Sequence, residues 1–267
     1  MNVRGEMIDL SEPLVMGILN CTPDSFYTGS RMQTEREIAM RAQQIVDEGG
    51  RIIDVGAFST RPGADVVTEG EEMQRLETAL RIVRREWPDV IVSVDTYRPL
   101  VARRCVEEWG ADIVNDVGGI SGVEKHGTRS EMIAMISRLR VPYIYMSSQP
   151  TIDLMLQSWK KDVALMRSMG VNDIIFDPGF GFGKTVEENY AVMRDLDQLQ
   201  QLELPLLVGV SRKSMIWKVL GGTADTALNG TTALHSIALM KGASILRVHD
   251  VKEAVETILL FKRVCKT

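Results

Sequence analysis

Short apolar runs recur along the whole chain, and a polar residue or a turn follows each of them. Eight runs are rich in Ile, Val and Leu: 14–20, 51–57, 89–95, 111–116, 141–146, 173–178, 205–211 and 243–250. Their apolar residues are largely continuous, whereas a half-exposed strand alternates apolar and polar positions. This pattern indicates strands that are buried on both faces, as in a parallel sheet.

Helical periodicity separates these runs. Between 71 and 87, for example, Met73, Leu76, Leu80 and Val83 recur at spacings of three and four and mark one face of a helix. Eight successive strand–helix units predict an α/β fold, a (β/α)8 TIM barrel, as a single domain over residues 1–267. The alternative, an open doubly wound sheet, normally has only five or six parallel strands.

The polar residues at the strand ends predict where the chemistry takes place. In a barrel of this kind the carboxyl ends of the strands converge on one face, which holds the active site. One or two polar ends would be explained by contact with water, but here nearly every strand has one. The residues at these ends are Asn20, 59–61, Asp95, Asn115, Asp116, Asp177, 211–213, Arg247 and His249.

The candidate residues fall into two chemical groups. Acceptors and donors are mixed among Asp95, Asn115, Asp177 and Lys213, which suits a flat heterocycle with alternating N–H and C=O edges. The second group suits an anion such as phosphate, because arginine offers a permanent charge and a fork of donors. It consists of Arg61, Arg247 and His249, with Asn20 as an amide that could face a metal ion.

A glycine-rich stretch, DPGFGFGKT at 177–185, completes neither phosphate-binding pattern, GxxxxGK[ST] or GxGxxG. We interpret it as a loop that folds over a ligand with Phe182 as an apolar wall. A flexible connection with a buried Phe is the alternative.

Composition narrows the class of protein. The 267 residues include 45% hydrophobic and 25% charged residues with a net charge of −5, which is typical of an ordinary globular enzyme and argues against a nucleic-acid surface. We find no signal-peptide pattern and no run long enough for a membrane helix. The 3 cysteines form no metal-binding or disulfide pattern, so we expect a cytoplasmic protein.

Seven segments together resemble the signatures of the dihydropteroate synthase family, in the family's order and over nearly the whole chain. They are MGILNCTPDSF (16–26), DVGAFSTRPGA (54–64), SVDTYRPLVA (93–102), NDVGG (115–119), DPGFGFGKT (177–185), VGVSRKS (208–214) and RVHDVKE (247–253).

The resemblance implies a transferase of folate biosynthesis. Such enzymes condense 6-hydroxymethyl-7,8-dihydropterin diphosphate with p-aminobenzoate and release 7,8-dihydropteroate and pyrophosphate, with Mg2+ as cofactor. An SN1-like displacement, in which the C–O bond breaks first, agrees with the buried acids and with the lack of a nucleophilic triad. The family is commonly a homodimer, and we expect one here.

The resemblance also implies a role for each matching residue. The catalytic residues would be Asp95, Asp177, Lys213 and Arg247. The pterin would contact these four together with Asn115 and Met146. The p-aminobenzoate site and its loops would use Asp24, Phe26, Thr60, Arg61, Pro62, Phe182 and Ser211. The diphosphate would contact Asn20, Arg247 and His249, with Asn20 also directed at the metal.

The chain departs from the family pattern at several places, one of which is Cys21, where Val is common. After the fifth strand, Met146-Ser147-Ser148 replaces the usual Met-His-Met, and Phe58 replaces a Glu in the second signature. Two alternatives remain: a pterin-binding paralogue without turnover, for which the altered segment is the support, and a methyltetrahydrofolate methyltransferase-like barrel. The latter has no need of the SRKS stretch or of the Arg247/His249 pair.

Overall fold

A computed structural model describes residues 1–21, 35–58, 67–118 and 129–265. The eight apolar runs supply strands β3 Leu14–Asn20, β4 Ile52–Gly56, β5 Ile91–Asp95, β6 Ile113–Asp116, β7 Tyr143–Met146, β8 Ile174–Asp177, β9 Leu206–Val208 and β10 Ala243–Val248. These strands are parallel and close into a barrel in the order β10-β3-β4-β5-β6-β7-β8-β9. The predicted (β/α)8 TIM barrel is therefore confirmed.

Helices follow the strands and cover the outside of the barrel. They are α1 Glu35–Asp47, α2 Glu69–Glu86, α3 Pro99–Glu107, α4 Arg129–Leu139, α5 Ile152–Ser168, α6 Val186–Arg194, a 3-10 helix Leu196–Leu202, α7 Ser214–Leu220, α8 Leu228–Met240 and α9 Val251–Cys265. Capping boxes built on Thr68 and Thr185 satisfy the free N–H groups at the starts of α2 and α6. No helix in the described part of the chain is long and apolar enough to cross a bilayer.

The lower part of the barrel interior is an apolar layer to which each of the eight strands contributes one side chain. The layer consists of Met16, Ile52, Ile91, Ile113, Ile144, Ile175, Leu207 and Ile245. An antiparallel hairpin, β1 Asn2–Val3 with β2 Glu6–Met7, packs Val3 beneath this layer. The sequence patterns did not predict the hairpin, because two-residue strands are too short to show a period.

The next inward position on each strand lies two residues further along, since side chains alternate between the two faces. At this level the residues are Ile18, Asp54, Ser93, Asn115, Met146, Asp177, Gly209 and Arg247. The apolar core thus gives way to polar side chains toward the carboxyl ends of the strands. This change places the candidate site.

Two strands end earlier than the sequence predicted. β9 ends at Val208 and β10 at Val248, so Ser211, Lys213 and His249 lie on the turns that follow. Arg212 has a positive φ of 54°, which is incompatible with a continued strand. Lys213 occupies the N-cap position of α7, and its side chain does not cap the helix.

Candidate functional site

Arg247 joins two carboxylates at the centre of the barrel mouth. Its Nε donates to Asp54 Oδ2 at 2.7 Å, and its Nη2 donates to Asp95 Oδ2 at 2.8 Å. Asn115 Nδ2 donates to the same Asp54 oxygen at 3.1 Å. Strands β4, β5, β6 and β10 therefore bring these four side chains into one hydrogen-bonded group, and three of the four were predicted from the sequence.

The other oxygens of this group are buried without a partner. Asp54 Oδ1, Asp95 Oδ1 and Asn115 Oδ1 have no hydrogen-bond donor within the described residues. An unsatisfied buried acceptor costs about 1–3 kcal/mol, so such oxygens normally have a donor in the working state of a protein. Three of them in one group are suited to a ligand that presents N–H groups.

Burial makes the carboxyl groups unusually basic. It raises the pKa of Asp95 to about 7, although the neighbouring Arg247 acts in the opposite direction. Burial likewise raises the pKa of Asp177, against the lowering effect of Lys213. Carboxyl groups with strongly perturbed pKa values in a cleft are typical of functional sites.

A second group forms where the glycine-rich loop meets the turn after β9. Lys213 Nζ donates to the Phe180 carbonyl and lies 4.5 Å from the centroid of the Phe182 ring. Gly181 has a φ of 79°, and a Cβ there would lie 2.9 Å from the Lys213 side chain, so only glycine fits. The loop is thus shaped to place Phe182 beside Lys213, which supports our interpretation of Phe182 as an apolar wall.

Lys213 is a weaker base than an exposed lysine. Burial lowers its pKa to about 7, although Asp177 favours the charged form. Asp177 accepts the N–H of Gly179 at 2.7 Å, which connects the carboxylate to the same loop. Asp177 and Lys213 therefore share one buried environment, as the sequence predicted.

Backbone contacts fix the position of His249, one of the anion-directed residues. The N–H of His249 donates to Ser211 Oγ at 3.2 Å, and the His249 carbonyl accepts from Arg41 Nη2 at 2.6 Å. Burial first, and then the positive charges of Arg247, Arg41 and other neighbouring cations, hold the pKa of His249 well below 6.5. The imidazole is therefore neutral at pH 7.

Asn20 ends β3 close to Asp95. A Cβ on Gly56 would lie 3.4 Å from Asn20 Oδ1 and 3.6 Å from Asp95 Cβ. Because residue 56 has no side chain, the space between the amide oxygen and the carboxylate stays open. Asn20 is thus placed where its oxygen can face a ligand beside the acidic group.

Met146 ends β7 fully buried, next to the altered segment. Ser147 follows it, and its carbonyl accepts a hydrogen bond from Lys184 Nζ at 3.3 Å. Lys184 also donates to the carbonyls of Gly179 and Phe182, at 3.0 and 3.4 Å. The altered segment is therefore fastened directly to the glycine-rich loop.

Five predicted residues lie outside the described part of the chain. These are Asp24 and Phe26 on the first loop, and Thr60, Arg61 and Pro62 on the second.

Sequence reasoning missed two residues of the site, Asp54 and Lys184. A signal for Asp54 was present, since an acid in the middle of a strand that is otherwise buried on both faces is rarely accidental. Asp54 precedes the end of β4 by two residues, so it is not among the polar strand ends. Lys184 offered no such signal, because its contacts depend on the path of the loop.

Comparisons with known proteins agree with this geometry. The family model described as "Pterin binding enzyme" matches residues 16–249. The dihydropteroate synthase of Escherichia coli K12 is 37% identical over 263 residues, which cover 96% of this chain and 93% of that protein. The Bacillus subtilis dihydropteroate synthase is 38% identical over 248 residues, covering 90% of this chain and 84% of that protein.

Solved structures are similar over the whole length. The Yersinia pestis dihydropteroate synthase in complex with a sulfonamide drug has a TM-score of 0.90 at 34% identity, covering 100% of this chain and 99% of that one. The Coxiella burnetii enzyme in complex with pteroic acid has a TM-score of 0.85 at 33% identity, covering 98% and 97%. With its barrel and its buried acidic group, the chain belongs to the dihydropteroate synthase family of pterin-binding enzymes.

Proposed function

We propose that the three unpartnered acceptor oxygens bind the N–H edge of 6-hydroxymethyl-7,8-dihydropterin diphosphate, which the enzyme then condenses with p-aminobenzoate. The family carries out this transferase reaction and releases 7,8-dihydropteroate and pyrophosphate. The observation that carries the proposal is the group of buried oxygens on Asp54, Asp95 and Asn115. A pterin presents an amino group and ring N–H groups on a flat edge and could satisfy them.

Four further residues would contact the pterin. Asp177 and Lys213 would complete the polar edge, and Met146 would pack against the ring. Arg247 would lie against the ring face while its two carboxylate partners hold the guanidinium in place. The relative from Coxiella burnetii solved with pteroic acid supports a ligand of this class.

The arrangement suits a displacement in which the C–O bond to the diphosphate breaks first. The bonding electron pair leaves with the diphosphate, and positive charge develops on the pterin methylene group. The carboxylates of Asp95 and Asp177 would stabilise that charge, as fixed charges do at a developing ion. The neutral aniline nitrogen of p-aminobenzoate then forms the C–N bond and releases a proton to water.

The leaving diphosphate would be bound by Arg247 and by the neutral imidazole of His249. Asn20 fits a role in holding Mg2+, since its oxygen borders the open space beside Gly56 and Asp95. Mg2+ usually takes only one or two protein oxygens, with substrate phosphates and water completing its coordination. Accordingly, the described residues contain no group of three or more His, Cys, Asp or Glu that could hold a metal alone. Bound Mg2+ would supply positive charge to the departing diphosphate.

The p-aminobenzoate would lie between Phe182, Ser211 and Lys213, beside the pterin methylene group. Asp24, Phe26, Thr60, Arg61 and Pro62 keep the roles in this site that the family resemblance predicts. The Xanthomonas albilineans dihydropteroate synthase solved with 4-aminobenzoic acid supports a ligand of this type.

We also infer that residues 1–267 form one domain, that two copies form a homodimer, and that the enzyme works in the cytoplasm. The free thiols of Cys21, Cys105 and Cys265 agree with a reducing compartment.

The outer faces of α8 and α9 expose large apolar side chains, which a second copy would bury. They are Ile237, Met240, Leu259, Leu260 and Val264. Light scattering of the wild type should give the mass of a dimer, and Leu260→Asp should lower it.

Pyrophosphate release tests the reaction. We expect release only when the pterin diphosphate, p-aminobenzoate and Mg2+ are all present. Lys213→Ala should lower kcat/KM by about 100-fold or more, the usual cost of losing a positioned charged group. Lys218→Ala, on an exposed part of α7, is the matched control and should behave as wild type. Release that ignores p-aminobenzoate would refute the proposed reaction.

A further inference from the structure

Arg212 lies between two predicted site residues, Ser211 and Lys213, but its side chain forms a separate contact network. The residue is only 5% exposed. Its guanidinium forms a two-bond ion pair with Asp250, from Nε to Oδ2 at 2.9 Å and from Nη2 to Oδ1 at 2.8 Å. Paired bonds of this kind fix orientation as well as distance, because both groups are planar.

The same guanidinium also holds the loop that precedes α8. Its Nη1 donates to the carbonyls of Ala224 and Asp225, at 2.9 and 2.7 Å. The backbone N–H of Arg212 donates to Thr231 Oγ1 at 3.0 Å. The turn after β9 is therefore anchored on α8 and on the loop that precedes it.

The backbone conformation of Arg212 explains why the side chains of Arg212 and Lys213, which are adjacent in sequence, contact different parts of the protein. Its φ of 54° lies in the left-handed region, which a residue with a Cβ seldom adopts unless its contacts hold it there. Lys213 reaches the Phe180 carbonyl and the Phe182 ring, whereas Arg212 reaches Asp250. Loss of the ion pair would therefore release a strained turn that carries Lys213.

Asp250 connects this turn to the one after β10. It directly follows His249, whose N–H already donates to Ser211 Oγ. The two turns thus share one buried ion pair and one backbone-to-side-chain hydrogen bond. Between them they carry Ser211 and Lys213 on one side, and His249 on the other.

We propose that Arg212 and Asp250 are a positioning pair that fixes the p-aminobenzoate side of the site relative to the diphosphate side. The pair touches neither substrate and acts through Ser211, Lys213 and His249. The inference rests on the proposed function, since it takes the ligands of those three residues from it. After the diphosphate has left, the aniline nitrogen must lie within reach of the pterin methylene carbon, so the two subsites must keep a fixed relative position. A displacement of 1 Å can cost about 100-fold in rate.

Two conservative variants test the pair. Arg212→Lys keeps the charge but loses the planar fork, and Asp250→Asn keeps the shape but loses the charge. Asp197→Asn removes the exposed partner of Lys241 and controls for loss of an ion pair as such. Val3→Ala, at the opposite end of the barrel, controls for general destabilisation.

The readouts are the affinity for inorganic pyrophosphate with Mg2+, the affinity for 6-hydroxymethylpterin, and the KM for p-aminobenzoate. We expect both variants to weaken pyrophosphate binding at least tenfold and to raise the KM for p-aminobenzoate. The loss of affinity for 6-hydroxymethylpterin should be at least five times smaller than the loss for pyrophosphate. The reason is that the pterin-directed residues Asp95, Asn115 and Asp177 lie on other strands. The double variant should be no worse than the single ones, as expected for residues that act as a unit.

A merely structural role would give a different result. Each variant would then melt at a lower temperature, like Val3→Ala, with pyrophosphate affinity unchanged or with equal losses for both ligands. Either outcome would overturn the proposal. The variant His249→Ala separates a failure of the positioning pair from a failure of the proposed function. If His249→Ala binds pyrophosphate as tightly as wild type does, the proposed diphosphate role of His249 is wrong. The KM for p-aminobenzoate then decides whether the positioning pair acts as proposed.

Discussion

Substitution of Asp95 by Asn should make the protein more stable and, at the same time, inactive. The carboxyl is buried beside Asp54, and its pKa is raised from 3.8 to about 7. The ionised form is therefore less favourable in the folded state than in the unfolded chain. Asn has nearly the same shape and never ionises, so this cost disappears.

Proton linkage determines how the free energy of unfolding depends on pH. Between pH 3.8 and about 7 the folded state binds the Asp95 proton more tightly than the unfolded chain does, so the free energy of unfolding falls as the pH rises. At about 1.4 kcal/mol for each pH unit between the two pKa values, the full cost at pH 8 is about 4 kcal/mol. The pKa of about 7 already includes the attraction of Arg247. An Asn amide must still bury its NH2 group or its oxygen at the unpartnered Oδ1 position, at a cost of about 1–3 kcal/mol, so we expect a net gain of about 2 kcal/mol.

Urea unfolding at pH 8 and pH 5 measures this difference. With an m-value of about 3 kcal/mol/M for a protein of this size, the midpoint of Asp95→Asn should lie about 0.7 M above that of the wild type at pH 8. At pH 5 the two midpoints should lie closer together. Asp197→Asn is the control, since Lys241 lowers the pKa of this exposed carboxyl and its removal should not stabilise the protein. An Asp95→Asn protein that is less stable than wild type at pH 8 would refute the reasoning.

Three other predictions concern the loop, the hairpin and the thiols. Lys184→Met removes the donor that joins the Ser147 carbonyl to two carbonyls of the glycine-rich loop, so the KM for p-aminobenzoate should rise about threefold to tenfold in steady-state assays. Lys184→Arg keeps a donor and should raise this KM less, and unchanged kinetics in Lys184→Met would exclude a role for the contact. Val3→Ala should lower the free energy of unfolding by about 1–3 kcal/mol and leave kcat unchanged. A loss of kcat would contradict the placement of the reaction at the opposite end of the barrel. Iodoacetamide at pH 8 should modify Cys265 before Cys21, because burial raises the pKa of the Cys21 thiol to about 12. Mass spectrometry that shows the reverse order would contradict the buried position of Cys21.

The fold was predictable because its periodicities are strong. Continuous Ile and Val runs identified every barrel strand, and the polar ends of those strands identified Asp95, Asn115, Asp177 and Arg247. These positions are set by the alternation of side chains along a strand, which a sequence displays directly. Asp54 obeys the same rule, but it lies two residues before the end of β4, where the polar strand ends give no signal for it.

Contacts that depend on turn conformation were not predictable in this way. The positive φ of Arg212 and of the glycines at 179, 181 and 183 determines the path of the backbone there, and no apolar period encodes it. Lys184 and the Arg212–Asp250 pair became visible only when those turns were seen in three dimensions. The early end of β9 has the same cause.

A crystal structure of the enzyme with a pterin bound tests the proposed site most directly. We predict that N–H groups of the pterin lie within about 3.2 Å of Asp95 Oδ1 and of at least one of the other buried oxygens, on Asp54 or Asn115. A well-ordered pterin that leaves all three oxygens without a donor, or that binds away from the carboxyl ends of the strands, would contradict it.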